Sequence, residues 1–303
     1  MVIKIILIII AVYAVFFAGP AVASFFKVYG VKRGTPYRER RGVENSYYAP
    51  YLKRMDAACA ELDSLPHERV TMIAPDGAPL CAEYFDAESD RTAILLHGYN
   101  ALPYNNFALV GRDLRGRGFN VMMIYARAHL PSGGKHAALG ALEQYDLLGW
   151  IAKARESGAD KILIYGMSMG AATAAYAADK IDDPAVKALI IDSAYASPYG
   201  QYVYDCKRRF IPWFMLAPIH RLLGRAVLGC DLKRSVRDSL KNNRLPVLFI
   251  HGTDDETVPF AVGKKNFAAC VGDKRCLWVK GAHHTMGYAE AGDKVWDFID
   301  EKI

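Results

Sequence analysis

Short, unbroken apolar runs recur along this chain and limit how it can fold. They are TAILLHG (92–98), FNVMMIYA (119–126), KILIYG (161–166), ALIIDSA (188–194) and LPVLFIHG (245–252). Runs of this length without polar alternation are typical of strands that are buried on both faces. Segments with helical spacing of apolar residues separate them. This alternation predicts an α/β fold with a mostly parallel, doubly wound sheet.

Two further patterns extend this prediction. Asp76-Gly77 lies between the runs RVTMIAP (69–75) and LCAEYFD (80–86), which indicates a β-hairpin at the start of the sheet. Residues 197–243 are rich in helical patterns and poor in strand patterns, so we expect a helical cap inserted between two strands. The chain then closes with a strand at 275–282 and a helix at 289–302. We therefore expect one α/β domain over residues 70–303.

The segment LIYGMSMGAAT (163–173) places Ser168 between Gly166 and Gly170, directly after an apolar run. A strand, the pattern G-x-S-x-G and a helix together form a nucleophile elbow, in which glycines allow a sharp turn that exposes the serine. A serine hydroxyl is a weak nucleophile, so it needs a base, and the base needs an acid to orient it. Two later segments, FIHGTDDETVP (249–259) and VKGAHHTMGY (279–288), follow apolar runs and offer these groups.

These motifs resemble those of the α/β-hydrolase superfamily, in its bacterial esterase and serine-aminopeptidase-like branch. The branch pattern H-G-x-x-D-x-x-V-P is matched by His251, Gly252, Asp255, Val258 and Pro259, and G-A-x-H by Gly281, Ala282 and His284. The pattern R-x-H-x-x-S-x-G, then G-x-x-E-x-x-D, is matched by Arg127, His129, Ser132, Gly134, Gly140, Glu143 and Asp146. Leu130 stands where many relatives have glycine. The resemblance covers about residues 70–303 and implies the α/β-hydrolase fold.

The resemblance also implies a set of catalytic residues: Ser168, Asp255 and His284. Asp254, Asp192 and Glu256 remain alternatives for the acid, and His283 is the alternative for the base. The resemblance implies that the backbone N–H groups of Tyr99 and Met169 form the oxyanion hole. The expected reaction passes through an acyl-enzyme that water hydrolyses, without a metal or an organic cofactor.

The N-terminus carries no charged residue between Lys4 and Lys27. An apolar helix of this length could cross a bilayer of about 30 Å, so residues 1–26 are predicted to be a transmembrane anchor or a signal segment. Ala21-Val22-Ala23 before Ser24 is typical of a signal-peptidase site, but the length of the run favours a retained anchor. Residues 27–69 are expected to be a basic connector. Membrane lipid is thus an expected partner, and the side on which the main domain lies stays open.

Other classes of function have little support in the sequence. The net charge of +6 is concentrated in residues 1–41 and in the cap, and no nucleic-acid-binding motif is present, so we expect no nucleic-acid partner. Six cysteines permit disulfides, Cys206 with Cys230 or Cys270 with Cys276, but free thiols are favoured in a chain of this size. No C-x-x-C or H-E-x-x-H motif occurs, so no metal is expected. His129 and His136 are interpreted as loop histidines.

The composition of the cap favours an acyl ester as substrate. Eight basic residues stand against three aspartates over residues 198–240, whereas an aminopeptidase needs acidic groups to bind an α-ammonium. Trp213 and Phe214, in the apolar run FIPWFMLAPI (210–219), are the predicted substrate-binding residues, although the run could simply pack the cap onto the core. A small-molecule acyl-ester hydrolase is therefore the leading hypothesis. The alternatives are a peptidase of the same fold and a non-catalytic membrane scaffold.

Overall fold

An eight-stranded sheet forms the centre of the structure, which is a computed structural model that describes residues 2–32, 34 and 46–303. The strands are β1 (Glu68–Ile73), β2 (Pro79–Phe85), β3 (Arg91–Leu96), β4 (Asn120–Tyr125), β5 (Lys161–Met167), β6 (Val186–Asp192), β7 (Val247–Gly252) and β8 (Lys274–Val279). Their order is β1-β2-β4-β3-β5-β6-β7-β8. The pairs β1–β2 and β2–β4 are antiparallel, and all the others are parallel. The predicted mostly parallel α/β-hydrolase sheet is confirmed.

Helices connect the strands and cover both faces of the sheet. In chain order they are α1 (Val2–Tyr13), α2 (Gly19–Tyr29), α3 (Leu52–Ser64), α4 (Pro103–Gly116), α5 (Glu143–Glu156), α6 (Met169–Ala177), α7 (Pro198–Arg208), α8 (Trp213–Leu223), α9 (Val236–Leu240), α10 (Phe260–Ala269), α11 (Gly287–Ala291) and α12 (Asp293–Lys302). Side chains of α3, α4 and α12 form one core with the sheet, and those of α5 and α6 form the other. The helix expected at 289–302 is divided at Gly292 into α11 and α12.

The chain between β6 and β7 is largely helical, and it includes the whole segment proposed as a cap, residues 197–243. It contains α7, α8, a π-helical segment (Gly224–Leu228) and α9. Ser197 caps α7 by accepting a hydrogen bond from the N–H of Gly200, and Ser235 with Asp238 forms a capping box on α9. Helix α8 packs against α2, so this part of the structure lies over the N-terminal region.

The prediction of a membrane anchor at residues 1–26 is wrong. A π-helical segment (Ala14–Ala18) separates α1 from α2, and no helix in the described residues is long and apolar enough to cross a membrane. The apolar residues of α2 have another role, because Ala21, Phe25 and Tyr29 are buried inside the protein. The predicted membrane location and lipid partner therefore have no support. Of the predicted basic connector, residues 27–69, residue 33 and residues 35–45 lie outside the described residues.

No disulfide joins the six cysteines, all of which lie in the described part of the chain. Cys206 and Cys270 are buried, and Cys276 is exposed.

Candidate active site

The turn at Ser168 joins β5 to α6 and holds a strained backbone. Ser168 has φ +54° and ψ −109°, a backbone conformation with positive φ that residues other than glycine rarely adopt. A Cβ on Gly166 would lie 2.3 Å from the carbonyl oxygen of Gly170, and a Cβ on Gly170 would lie 1.8 Å from that of Leu96. Both approaches are too close for a carbon atom. The two glycines of the motif are therefore required for β5, the turn and α6 to pack as they do.

The hydroxyl of Ser168 begins a chain of two hydrogen bonds. Its Oγ lies 2.9 Å from Nε2 of His284, and Nδ1 of His284 lies 2.7 Å from Oδ2 of Asp255. The three residues lie at the carboxyl ends of three parallel strands: Ser168 follows β5, Asp255 follows β7, and His284 follows β8. Since a carboxylate only accepts, Nδ1 of His284 carries the proton and Nε2 is free to accept the proton of Ser168. The structure thus brings together the three residues that the sequence predicted.

Asp255 is buried and strongly hydrogen-bonded. Burial alone would raise its pKa, but hydrogen bonds from His251 and His284 and the N–H of Val258 outweigh this, so the pKa lies well below its ordinary value. Oδ1 accepts from the N–H groups of Thr257 and Val258 at 2.9 and 2.8 Å. This carboxylate is therefore ionised at neutral pH and fixed in orientation.

His251 is a second partner of Asp255 that sequence reasoning missed. In the sequence, His251 stood only as a match to the branch pattern, but its Nε2 lies 3.3 Å from Oδ2 of Asp255 and 2.9 Å from the carbonyl oxygen of Val258. Both neighbours are acceptors, so Nε2 carries a proton. His251 lies four residues before Asp255, and β7 ends between them. This short spacing was the signal in the sequence that the two side chains could meet.

The alternative acid and base residues lie apart from this chain of hydrogen bonds. Asp254 and Glu256 are exposed, and His283 stacks on the ring of Tyr47. Asp192 is fully buried at the end of β6, where its carboxylate accepts from the hydroxyl groups of Ser193 and Tyr165. Burial raises the pKa of Asp192 to about 6.

The proposed oxyanion residues flank Ser168. Met169 is the first residue of α6, so its N–H has no acceptor within the helix and points toward the helix N-terminus. Tyr99 follows Gly98 after β3, and a Cβ on Gly98 would lie 3.4 Å from Cβ of Ser168, so this loop passes directly beside the serine. The partial positive charge of the α6 N-terminus adds to the same place.

The motif between residues 126 and 146 stiffens the loops behind the site. Arg127 forms two hydrogen bonds with the buried carboxylate of Asp146, at 2.7 and 2.6 Å. Glu143 accepts from the N–H groups of Ala138 and Gly140, both at 2.8 Å. His129 donates from Nδ1 to the carbonyl oxygen of Arg127, and its Nε2 accepts from the N–H of Asn100. His129 thereby holds the loop that carries Tyr99, through the N–H of Asn100.

A cavity of about 700 Å³ opens onto Ser168. Its lining combines residues of α2, of α7 and α8, and of the loops that follow the strands. The volume lies within the range of sites for drug-sized ligands. Most lining side chains are apolar or aromatic, and the charged ones are Lys27, Asp205 and Arg209.

Trp213 and Phe214, the predicted substrate-binding residues, are not among the described residues that line this cavity. Phe214 is 63% exposed, and the ring of Trp213 lies beneath the ammonium of Lys207. Their neighbours Ile211, Pro212 and Leu216 line the cavity instead. A role for Trp213 and Phe214 in substrate binding stays a prediction without a contact to support it.

Four of the eight basic residues of the cap pair with acidic groups of the protein. Arg221 and Arg225 both bind Asp231, and Arg208 binds Glu256. Net charge therefore overstated the positive potential at the site, where Arg209 is the one cationic residue of the cap segment in the described lining.

The strand order and the chain of serine, histidine and aspartate define the class of this protein, an α/β hydrolase. Residues 87–239 match the family described as serine aminopeptidase, S33, and the chain belongs to that family.

Curated proteins and solved structures are similar to this chain. The uncharacterized protein YqkD of Bacillus subtilis is 28% identical over 215 residues, which is 67% of this chain and 68% of YqkD. The esterase Pf2001 of Pyrococcus furiosus has a similar structure, with a TM-score of 0.64 and 21% identity over 80% of this chain and 91% of the esterase. The esterase EaEST of Exiguobacterium antarcticum has a TM-score of 0.58 and 17% identity, covering 77% and 98% of the two chains. At these identities the solved structures show a common fold.

Proposed function

We propose that the protein is a serine hydrolase that cleaves carboxylic esters of small molecules. The observation that carries the proposal is the chain of hydrogen bonds from Asp255 through His284 to Ser168, at 2.7 and 2.9 Å. Its orientation supplies what a serine nucleophile needs, which is a base within reach and an acid that fixes the tautomer of the base. The solved structures with the same fold that are named as esterases also support the proposal.

In the proposed mechanism, Oγ of Ser168 attacks the carbonyl carbon of the ester while Nε2 of His284 accepts the hydroxyl proton. The carbonyl oxygen becomes an oxyanion, which the N–H groups of Tyr99 and Met169 stabilise by hydrogen bonds. The imidazolium, stabilised by Asp255, then donates the proton to the departing alkoxide, and an acyl-enzyme remains. Water attacks this ester in the same way, with His284 as the base, and releases the acid and free Ser168.

The charges in the cavity favour an ester over a peptide with a free amino terminus. Lys27 and Arg209 are cationic, and the one acidic residue of the described lining is Asp205. Burial raises the pKa of Asp205, which means that the site disfavours its charged form. An α-ammonium would thus meet two cations and one acid. The family description still makes an aminopeptidase the second candidate, with Asp205 as the group that would bind the ammonium.

A panel of substrates at matched concentration tests the choice. We expect p-nitrophenyl acyl esters to be hydrolysed and aminoacyl p-nitroanilides to be turned over at least a hundredfold more slowly. Ser168→Ala should abolish both activities, and His283→Ala is the matched control that should retain most of the wild-type rate. Faster turnover of the anilides than of every ester would replace the esterase by the peptidase. Hydrolysis that survives Ser168→Ala would refute the serine mechanism.

A further inference from the structure

The N-terminal region lines the cavity that holds Ser168. Phe17, Pro20, Ser24 and Val28 are all part of the lining, and their spacing of three to four residues places them on one face of a helix. A neighbouring face, with Ala21 and Phe25, is fully buried in the protein, and the buried Tyr29 also belongs to the cavity lining. This segment is apolar on two faces because one face packs into the protein core and the other lines the cavity.

Hydrogen bonds fix this wall of the cavity, formed by the π-helical segment (Ala14–Ala18) and α2, to the cap. Oγ of Ser24 lies 2.7 Å from Nε2 of His220 on α8 and 3.3 Å from the hydroxyl of Tyr202 on α7. The rings of Tyr202 and His220 stack with their centres 3.8 Å apart. A single polar cluster thus joins α2 to both helices of the cap.

The same wall is fixed to the hydrolase domain beside the reacting atoms. The hydroxyl of Tyr99 donates to the carbonyl oxygen of Val28 at 3.0 Å, and the N–H of Ala137 donates to that of Tyr29 at 2.8 Å. Residue 32 then pairs with the loop at residues 128–130. Since Tyr99 is also the proposed oxyanion residue, α2 contacts the catalytic loop directly.

The volume of the cavity indicates the size of its occupant. Taking roughly 30 Å³ for each heavy atom, an acetyl group occupies about 90 Å³ and a decanoyl group about 330 Å³. An acetyl ester would leave most of the 700 Å³ unfilled, and a longer apolar chain would bury its surface against the aromatic and aliphatic lining.

We propose that the π-helical segment and α2 form the acyl-binding wall of the active site, with Phe17 as a residue that determines chain length and medium-chain acyl groups as the occupant. This proposal rests on the proposed ester hydrolysis for its biological meaning, but the binding of the chain can be measured without turnover. Phe17 is half-buried, stacks on Tyr13 and lines the cavity. Replacing its ring removes apolar surface that a chain would contact.

Binding of decanoate to full-length Ser168→Ala protein, measured by calorimetry, tests the wall. We expect Phe17→Ala in that background to raise the Kd of decanoate roughly tenfold, because the loss of an apolar contact of this size weakens binding by about a factor of ten. Phe26→Ala is the matched control. Phe26 is on α2, is 47% exposed and is not among the described lining residues, so the Kd of decanoate for this variant should stay within twofold of that of the parent protein. Phe17→Trp serves as the second variant and should favour hexanoate over decanoate relative to the parent protein.

The outcomes separate this proposal from the esterase assignment. Equal Kd values for Phe17→Ala and Phe26→Ala, or no decanoate binding to the parent protein, would overturn the wall even if acetyl esters are hydrolysed. Binding that depends on Phe17 would support the wall even if no ester is hydrolysed. In an active enzyme, Phe17→Ala should also lower the ratio of kcat/KM for decanoyl over acetyl esters by a similar factor.

Discussion

The strained turn at Ser168 predicts an inverted order of stability for two inactive variants. Ser168→Ala and Ser168→Gly both remove the hydroxyl and its hydrogen bond to His284, so they differ only in what their Cβ does to the backbone. At φ +54° a residue with a Cβ carries strain of about 1–3 kcal/mol, which glycine relieves. Glycine also gains more freedom in the unfolded chain, which costs about 0.4–1 kcal/mol of stability. The balance makes Ser168→Gly more stable than Ser168→Ala by about 1 kcal/mol.

Urea unfolding followed by circular dichroism measures this difference. Ala152, exposed on α5, provides the control, since Ala152→Gly should lose about 1 kcal/mol in the order that is usual for a helix. If Ser168→Ala proved equal to Ser168→Gly or more stable, residue 168 would not be strained, and the turn would not have the geometry described here.

Three further predictions concern single side chains. Asp255→Asn should lower kcat about ten-thousand-fold by stabilising the wrong tautomer of the base, and Asp254→Asn should leave steady-state kinetics nearly unchanged. Arg127→Met should cost about 3–5 kcal/mol in urea unfolding because it leaves Asp146 buried and unpaired, and replacing Asp146 by leucine in the same protein should restore part of this. Burial lowers the pKa of His129 to about 4, so its neutral form contributes stability above pH 6.5 that is lost as the pH falls toward 4. Between pH 6 and 4.5 the wild type should therefore lose about 1.5 kcal/mol more than His129→Gln.

The sheet could be predicted because buried parallel strands leave a strong local signal. Five unbroken apolar runs correspond to β3, β4, β5, β6 and β7, and each reflects a strand covered on both faces. The turn at Ser168 was equally readable, since a Cβ on Gly170 would lie 1.8 Å from the carbonyl oxygen of Leu96 and only glycine fits there. Local sequence dictates these features directly.

The N-terminal helix could not be interpreted from its own residues. A helix that is apolar on several faces has the same composition whether lipid, a protein core or a cavity surrounds it. Only the fold reveals that Phe25 meets the core and that Phe17 and Ser24 meet the cavity. Trp213 and Phe214 are not in the described cavity lining for a similar reason: apolar residues of one short helix point in several directions.

The paired charges of the cap were also beyond the sequence. Arg221 and Asp231 are ten residues apart, and Arg208 and Glu256 are 48 apart, so nothing local indicated that they neutralise each other. Counting charges gave the cap an excess of basic residues. In the structure, Arg209 is the one basic residue of the cap in the described cavity lining.

Labelling with a fluorophosphonate, located by peptide mass spectrometry, tests the central claim most directly. The reagent reacts with an activated serine and needs no knowledge of the natural substrate. We predict that Ser168 is the labelled residue, that His284→Ala slows its labelling at least a thousandfold, and that His283→Ala leaves the rate near that of the wild type. Labelling at a different serine, or an unchanged rate in His284→Ala, would contradict the assignment of Ser168, His284 and Asp255 as one catalytic unit.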